Sequence, residues 1–309
     1  MLRLDPNFSM AKYHIGTAGW SYKDWEGIVY PAKKGANFHA LVFLAQYMDV
    51  VEINSTFYRP PAIRMSWSWI KRVDGYPDFL FTVKLHQIFT HKRQGFSQKD
   101  VSEFKGGIEP LRAHNRLAAI LIQFPWSFAQ NTLHVDYLTN LFKLFEDFPL
   151  ALEIRHSSWD NAEFYNLLSE RKVSFCNIDQ PLIGNSIKPT ALCTNPDLSY
   201  VRLHGRNYKS WFNNKAGRDE RYNYLYSNDE LEDWIERIKE LGKKSKKVVV
   251  ITNNHYRGQA LANALQIKNM VTDEKLDIPL DLLKQYPALK EIIKKIKSGQ
   301  LDLFNTEEK

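Results

Sequence analysis

An acidic and a basic residue close the segment Leu150–Arg155, where apolar and polar side chains alternate. A β-strand has a side-chain period of two, so Glu153 and Arg155 project from one face and the leucine and isoleucine side chains from the other. The pattern predicts a strand that packs its aliphatic face against helices. Its opposite face ends in a carboxylate and a guanidinium, a pair suited to acid–base chemistry or anion binding.

The same parity recurs in other predicted strands. Seven of them contribute polar residues near their carboxyl ends: Glu52, Asn54, Lys84, His86, Gln123, Glu153, Arg155, Asn177, Asp179, Arg202, His204, Thr252 and Asn254. A buried polar group without a partner costs about 1–3 kcal/mol, and an unpaired charge costs more. A shared ligand-binding or active site is therefore favoured, and a purely structural, cross-paired network is the alternative.

The residue types suggest roles. The candidates for general acid and base are Glu52, Glu153, His86 and His204. The cations suited to a phosphate or carboxylate group are Lys84, Arg155 and Arg202. The polar candidates for substrate contacts include Asn54, Asp179 and Asn254. The aromatic residues just past strands that are available for stacking include Trp20 and Tyr58.

A metal site built from Glu52, Glu153, Asp179 and His204 is an alternative that we do not favour. Metal-binding motifs usually place ligands at short fixed spacings, and none is present here. Three cations near the same carboxylates also oppose metal binding. The chain carries no phosphate-binding loop, no dinucleotide fingerprint and no serine-hydrolase signature, so the sequence identifies no cofactor.

Eight strand patterns, mostly separated by helical ones, must position these residues. The predicted strands are His14–Trp20, Asp49–Ile53, Phe79–His86, Leu117–Phe124, the segment from Leu150, Val173–Asp179, Ser199–His204 and Lys247–Thr252. This order predicts a (β/α)8 TIM-type barrel over residues 1–275. An open, doubly wound sheet is less favoured because the first turn, GTAGW, is not glycine-rich in the required pattern.

Two parts of the chain depart from the repeating pattern. Three prolines and a glycine within Gln180–Asp197 predict an irregular sixth connection. Residues 276–309 are expected to form a C-terminal extension, with a helical stretch at Leu280–Lys297 followed by a flexible tail.

The composition of the 309-residue chain, 44% hydrophobic with a formal charge of +7, is that of a globular protein with some preference for anionic partners. No apolar run is long enough to span a membrane, and the amino terminus lacks a secretory signal pattern. Two cysteines do not suggest a disulfide framework. We therefore expect a cytoplasmic protein.

Long segments of the chain resemble the domain of unknown function 72 family, the YecE-like proteins. The segments are IGTAGWSYKDWEGIVYP, VVEINSTFYRPP, FTVKLH, QFPWSF, LEIRHSSW, YVRLHGR and NNHYRGQALANAL. The resemblance covers about residues 13–270 and implies a TIM-type barrel with a polar pocket at the strand ends. The pocket positions that it implies are Trp20, Glu52, Asn54, Tyr58, Lys84, His86, Glu153, Arg155, Arg202, His204, Asn253 and Asn254. It implies no reaction.

The tail carries a separate motif, QLDLF, that resembles the peptide by which bacterial repair and replication proteins bind the DNA sliding clamp. Gln300 offers an amide, and Leu301, Leu303 and Phe304 suit an apolar cleft. The alternative is that this segment packs on its own barrel. Three functions therefore remain open: an enzyme acting on a small anionic or phosphorylated substrate, a clamp-associated DNA repair protein or nuclease, and a non-catalytic binding barrel.

Overall fold

Eight parallel strands close into a barrel whose strand order follows the sequence, with the last strand hydrogen-bonded to the first. The computed structural model describes residues 11–211 and 218–294. The strands are β1 Lys12–Ala18, β2 Val50–Ile53, β3 Leu80–Lys84, β4 Leu117–Gln123, β5 Leu150–Glu153, β6 Ser174–Asp179, β7 Ser199–Leu203 and β8 Lys247–Thr252. The predicted (β/α)8 barrel is confirmed.

Helices surround the barrel or lie in the connections between its strands. Their bounds in the described residues are α1 Ala40–Ala45, α2 Ile63–Arg72, α3 Gln98–Ala113, α4 Thr132–Leu144, α5 Ala162–Glu170, α6 Tyr208–Trp211, α7 Arg218–Arg221, α8 Asn228–Gly242, α9 Gln259–Thr272 and α10 Leu280–Gln285. Helix α8 shows why they form: Ser227 and Glu230 make a capping box, and an apolar stripe with Leu231 and Trp234 faces the core.

Helix α5 is capped by an asparagine, although an aspartate directly precedes it. Asp160 with Glu163 three positions on resembles a capping box, but the cap is Asn161, whose side chain accepts from the Phe164 amide at 3.0 Å. Asp160 instead accepts a hydrogen bond from the Tyr165 hydroxyl at 2.6 Å. Asparagine and aspartate are equally good caps, so only the backbone conformation distinguishes them.

The sixth connection contains no helix among its described residues, as predicted. The side chains of β6 lie on the opposite faces to those that we expected. Asn177 points outward, where its carbonyl accepts from the Leu192 amide at 2.8 Å and the Thr190 hydroxyl at 2.7 Å. The prediction that Asn177 and Asp179 face the interior was therefore wrong. Without a covering helix, the backbone of the connection needs hydrogen-bond partners, and the outer face of β6 supplies them.

Strand β8 also differs from the expected orientation. Thr252 donates to the carbonyl oxygen of Ala260 at 2.9 Å, and Asn254 donates to the side chain of Asn263 at 2.8 Å, so both face helix α9. The predicted inward orientation of Thr252 and Asn254 is wrong. Residues 248–251 of β8 are apolar at every position, so the pattern does not show which face is inward, and Thr252 and Asn254 lie on the face that packs on α9.

The C-terminal extension packs on the barrel. Leu282 and Leu283 of α10 are buried, and the backbone of Leu276 bonds with residues 292 and 294. The segment containing Gln300, Leu301, Leu303 and Phe304 lies outside the described residues. Across residues 11–211 and 218–294, we find no helix with the length and apolarity that a bilayer span requires.

Candidate functional site

A buried ion-pair network crosses the barrel interior near its carboxyl end. Arg202 of β7 contacts Glu52 of β2 at 2.7 Å through Nη2 and contacts Glu153 of β5 through Nη1. These three strands are not neighbours in the barrel, so the contacts run through its interior. All three side chains are almost completely excluded from solvent.

The hydroxyl groups of Tyr200 and Thr82 contact the network on its side nearer the amino end of the barrel. Tyr200 lies two residues before Arg202 on the same face of β7, and its hydroxyl contacts the Thr82 hydroxyl at 2.9 Å and Glu52 Oε2 at 3.2 Å. Each oxygen of Glu52 therefore has a partner. Burial raises the pKa of Tyr200 well above its usual range, so it is a neutral donor.

Glu153 has the most partners in the network. Besides Arg202, its Oε1 lies 2.8 Å from Arg155 Nη2 and 3.2 Å from His204 Nε2. Burial alone would raise the pKa of Glu153, but Arg202, Arg155 and the hydrogen bond with His204 hold it well below its usual range. Glu153 is thus a permanent carboxylate that orients its neighbours, which does not suit a general acid.

His204 is held in one neutral form. The amide nitrogen of Asn253 lies 3.0 Å from His204 Nδ1, which accepts, so the proton is on Nε2 and points to Glu153. Burial, despite the adjacent carboxylate, lowers the pKa of His204 to about 3. The imidazole is therefore a fixed hydrogen-bonding group at neutral pH and cannot readily take up a proton there.

Lys84 differs from the other charged residues of this end. Its ammonium lies over the ring of Phe57, 4.4 Å from the centroid, and no described side chain or carbonyl is within hydrogen-bond or ion-pair distance. Burial, and next the nearby Arg202, lower the pKa of Lys84 to about 8 against the opposing effect of Glu52 and Glu153.

The charges around Lys84 do not balance. Lys84, Arg155 and Arg202 carry three positive charges, while Glu52 and Glu153 carry two negative ones. The described part of the network therefore has one positive charge in excess when Lys84 is protonated. Lys84 is partly buried and faces the cavity, and an uncompensated charge removed even partly from water is unfavourable, so the site is expected to bind an anion or to lose a proton.

A cavity of about 410 Å³ opens directly above Lys84 and Arg202. Its lining combines amides and hydroxyls with aromatic rings and consists of Gly19, Trp20, Ser21, Tyr22, Asn54, Ser55, Phe57, Tyr58, Lys84, Arg202, Tyr222, Asn253 and His255. This volume suits a small organic molecule, and the mixture of apolar walls and a few polar groups is typical of ligand sites.

Tight turns after the strands bring these residues to the mouth. Gly19 follows β1 with a φ of 81°, a conformation that favours glycine, and its amide donates to the Glu52 carbonyl at 2.9 Å. After β2, the Thr56 hydroxyl contacts the carbonyl oxygens of Ile53 at 2.9 Å and Lys84 at 2.7 Å. This fixes the turn that carries Phe57 and Tyr58 beside the end of β3.

The candidate residues fall into three groups. Those that line the cavity are Trp20, Asn54, Tyr58, Lys84, Arg202 and Asn253. Those in the network beneath or beside it are Glu52, Glu153, Arg155 and His204. Three lie elsewhere: His86, Asp179 and Asn254. His86 Nε2 is 3.3 Å from the Tyr58 carbonyl, so it supports the turn at the cavity rim and does not line the cavity.

Asp179 belongs to a separate polar cluster on the outer side of β6 and β7. It accepts from Arg206 Nε at 2.9 Å and from the Tyr226 hydroxyl at 2.5 Å, and Tyr226 accepts from the Gly205 amide at 2.8 Å. Asn254 also serves this region, because its amide donates to the Tyr224 carbonyl at 2.7 Å. Both residues therefore anchor the loop after β7, and neither lines the cavity.

Sequence reasoning gave no site role to Phe57, Tyr200 or Tyr222. Tyr200 was detectable because it shares the strand face of Arg202 and His204. Phe57 and Tyr222 lie in loops, where no periodicity indicates orientation. Trp211, from the loop after β7, is buried with its ring 5.6 Å from the Arg155 guanidinium and covers the network from the side.

No cluster of three or more histidine, cysteine, aspartate or glutamate side chains in residues 11–211 and 218–294 is arranged to hold a metal ion. Glu52 and Glu153 are occupied by arginines, and Asp179 faces away from them.

The closed parallel barrel and the polar cavity at the carboxyl ends of its strands define a TIM-type barrel protein with a site where such barrels place their chemistry. The chain belongs to the family described as "Protein of unknown function DUF72", whose profile matches residues 14–288. It is 33% identical over 278 residues to the UPF0759 protein YunF of Bacillus subtilis (strain 168), covering 84% of this chain and 95% of that protein.

Solved structures agree with this assignment. A DUF72 family protein from Thermotoga maritima is 36% identical, with a TM-score of 0.74 over 84% of this chain and 99% of that one. A second, from Enterococcus faecalis, is 28% identical, with a TM-score of 0.73 over 84% of this chain and 95% of that one. The expected family is thus confirmed.

Proposed function

We propose that this protein is an enzyme that acts on a small anionic or phosphorylated substrate in the cavity at the carboxyl end of the barrel. The observation that carries the proposal is the excess positive charge at Lys84, which borders the cavity and has no anionic partner among the described residues. An anionic group on a ligand would supply the missing charge next to the Lys84 ammonium.

The cavity walls support an organic ligand over a bare inorganic ion. Trp20, Tyr22 and Phe57 present ring surface, and the ring of Tyr22 is fixed by stacking on His255 at a centroid distance of 4.5 Å. Asn54 and Asn253 add amide groups that can bind hydroxyl or carbonyl oxygens. A substrate with an anionic group, a short carbon skeleton and oxygen substituents suits this lining.

The geometry favours different roles for the two carboxylates than the sequence suggested. Each oxygen of Glu52 and Glu153 contacts an arginine, a histidine or a tyrosine, and neither carboxylate lines the cavity. We assign both as positioning residues that fix Arg202. Proton transfer is better suited to Lys84, because a group with a pKa of about 8 both gains and loses protons near neutral pH.

The proposal is tested by calorimetric binding of 3-phosphoglycerate, a small organic phosphate, to the intact protein. Wild type should bind at pH 6.5 and bind at least tenfold more weakly at pH 9.5, where Lys84 is neutral. Lys84→Met should lose at least tenfold in affinity at pH 6.5. Lys71→Met, at an exposed position of α2, should bind as wild type does.

A screen of phosphorylated and carboxylated metabolites for turnover completes the test. Turnover by wild type that Lys84→Met abolishes, with its circular dichroism spectrum unchanged, would support an enzyme. Equal binding by wild type and Lys84→Met, or no saturable binding by either, would refute the proposed site. Tight binding without turnover of any anion in the screen would favour a non-catalytic binding barrel.

A further inference from the structure

Lys84 has the surroundings of a nucleophilic amine. We propose that its Nζ adds to the carbonyl group of a small anionic aldehyde or ketone and forms a covalent imine in the cavity. This inference rests on the proposed function, because the anionic group would draw the substrate to the same site. It goes further by assigning the reacting atom and the substrate class.

The first support is the isolation of the amine. A lysine that only holds a structural charge normally donates hydrogen bonds to carboxylates or carbonyls, as Lys268 does to Asp49 at 2.7 Å. Lys84 has no such acceptor in the described residues, and the nearest carboxylates are already bound by arginines and Tyr200. Its lone pair, once deprotonated, is therefore available to an incoming ligand.

The second support is the fraction of Lys84 side chains that carry a neutral amine near neutral pH. Burial beside Arg202 disfavours the ammonium, and with a pKa of about 8, roughly a quarter of the molecules carry the neutral amine at pH 7.5. A desolvated lysine next to another cation is a known way to activate an amine nucleophile. Strand β3 and the Phe57 ring hold the side chain at the cavity floor.

The step balances without an external oxidant or reductant. The Nζ lone pair forms a C–N bond as the carbonyl π pair moves to oxygen, and one amine proton passes to that oxygen to give a carbinolamine. Proton uptake by the hydroxyl and departure of water leave a protonated imine. Its positive charge lies where the ammonium was, and the anionic group of the bound substrate compensates it.

The probe is glyceraldehyde 3-phosphate with sodium cyanoborohydride, which reduces the imine to a stable secondary amine. Peptide mass spectrometry of the full-length protein should find Lys84 labelled at least tenfold faster than the exposed Lys71 of the same molecules. Labelling should slow when 3-phosphoglycerate, which has the anion but no aldehyde, competes. Glyceraldehyde without the phosphate should label Lys84 much more slowly.

Lys84→Arg keeps the charge but cannot form the imine, so it should bind 3-phosphoglycerate and yet show no labelling at position 84. Binding of 3-phosphoglycerate by wild type, with Lys84 labelled no faster than Lys71, would overturn the imine while leaving the anion site intact. Absence of both binding and selective labelling would overturn both proposals.

Discussion

The two ends of the barrel both combine charged residues with a cavity, but the carboxyl end buries a whole network of paired charges. The amino end has the larger cavity, about 570 Å³, and its charged lining, such as Glu146, Glu170 and Arg171, is exposed. An ion pair there, Lys246 with Asp197 at 2.7 Å, leaves 76% and 60% of its side chains accessible. The pair Arg202–Glu52 leaves 2% and 0%.

This difference indicates that the size of a cavity does not by itself show where charged side chains are removed from water. Solvated charges interact weakly and keep their ordinary properties, whereas desolvated ones either pair closely or shift their pKa values. At the carboxyl end both outcomes occur, since Glu153 is held ionised and His204 is held neutral. A comparison of matched substitutions at the two ends tests this interpretation.

The largest contrast is expected for the ion pairs. Glu153→Gln leaves Arg202 and Arg155 buried with too little negative charge, so it should lower the free energy of unfolding by about 3–5 kcal/mol. Asp197→Asn at the amino end should cost less than about 1 kcal/mol, because its pair is screened by water. Urea denaturation at pH 7 measures both. Equal losses would contradict the proposed difference between the ends.

Lys84→Met should stabilise the protein while removing anion binding. The folded pKa of about 8 lies below the 10.5 of an exposed lysine, so folding carries a penalty of up to about 3 kcal/mol below pH 8. That penalty disappears as pH rises from 8 to 10.5. The gain of Lys84→Met over wild type in urea denaturation should therefore be largest at pH 7 and absent near pH 10.5.

The control for Lys84→Met is Lys247→Met, at the amino end of the barrel. Lys247 is only partly buried at the start of β8, where burial and Lys12 lower its pKa. A smaller gain is expected there, with no effect on anion binding. A loss of stability in Lys84→Met at pH 7 would mean that the ammonium is compensated in the folded protein.

His204 should make the carboxyl end sensitive to acid. Its folded pKa of about 3 lies below the unfolded 6.5, so the unfolded state takes up a proton first and stability falls as pH drops below 6.5. Between pH 7 and pH 5 this contributes a loss of about 2 kcal/mol. His204→Gln should flatten that part of the pH profile in urea denaturation.

The smallest contrast concerns single hydroxyl groups. Thr82→Val at the carboxyl end removes the 2.9 Å contact with Tyr200 and should cost about 1 kcal/mol. Ser199 at the start of β7 is buried, and its hydroxyl has no hydrogen-bond partner in the described residues. Ser199→Ala should be neutral or slightly stabilising in thermal unfolding. A clear loss there would show that its hydroxyl is satisfied.

Much of the site could be predicted from the sequence where side chains follow the period of two. Glu52, Glu153 and Arg202 lie within regular strands, and their parity predicted the shared interior that the structure contains. The same rule failed at Asp179 and Asn254, because both side chains bond to the loop after β7. Loop residues such as Tyr222 carry no periodic signal at all.

The sequence by itself determined the eight alternating segments, the barrel class, the family and the residue types available at the strand ends. Local spacing encodes these properties, because strand parity and helix periodicity need only neighbouring residues. Only the tertiary structure decided which charges pair across the barrel and that Lys84 has no ion-pair partner within residues 11–211 and 218–294. Those outcomes depend on distances between β2, β3, β5 and β7 and on the exclusion of water, and neither is a property of any one segment.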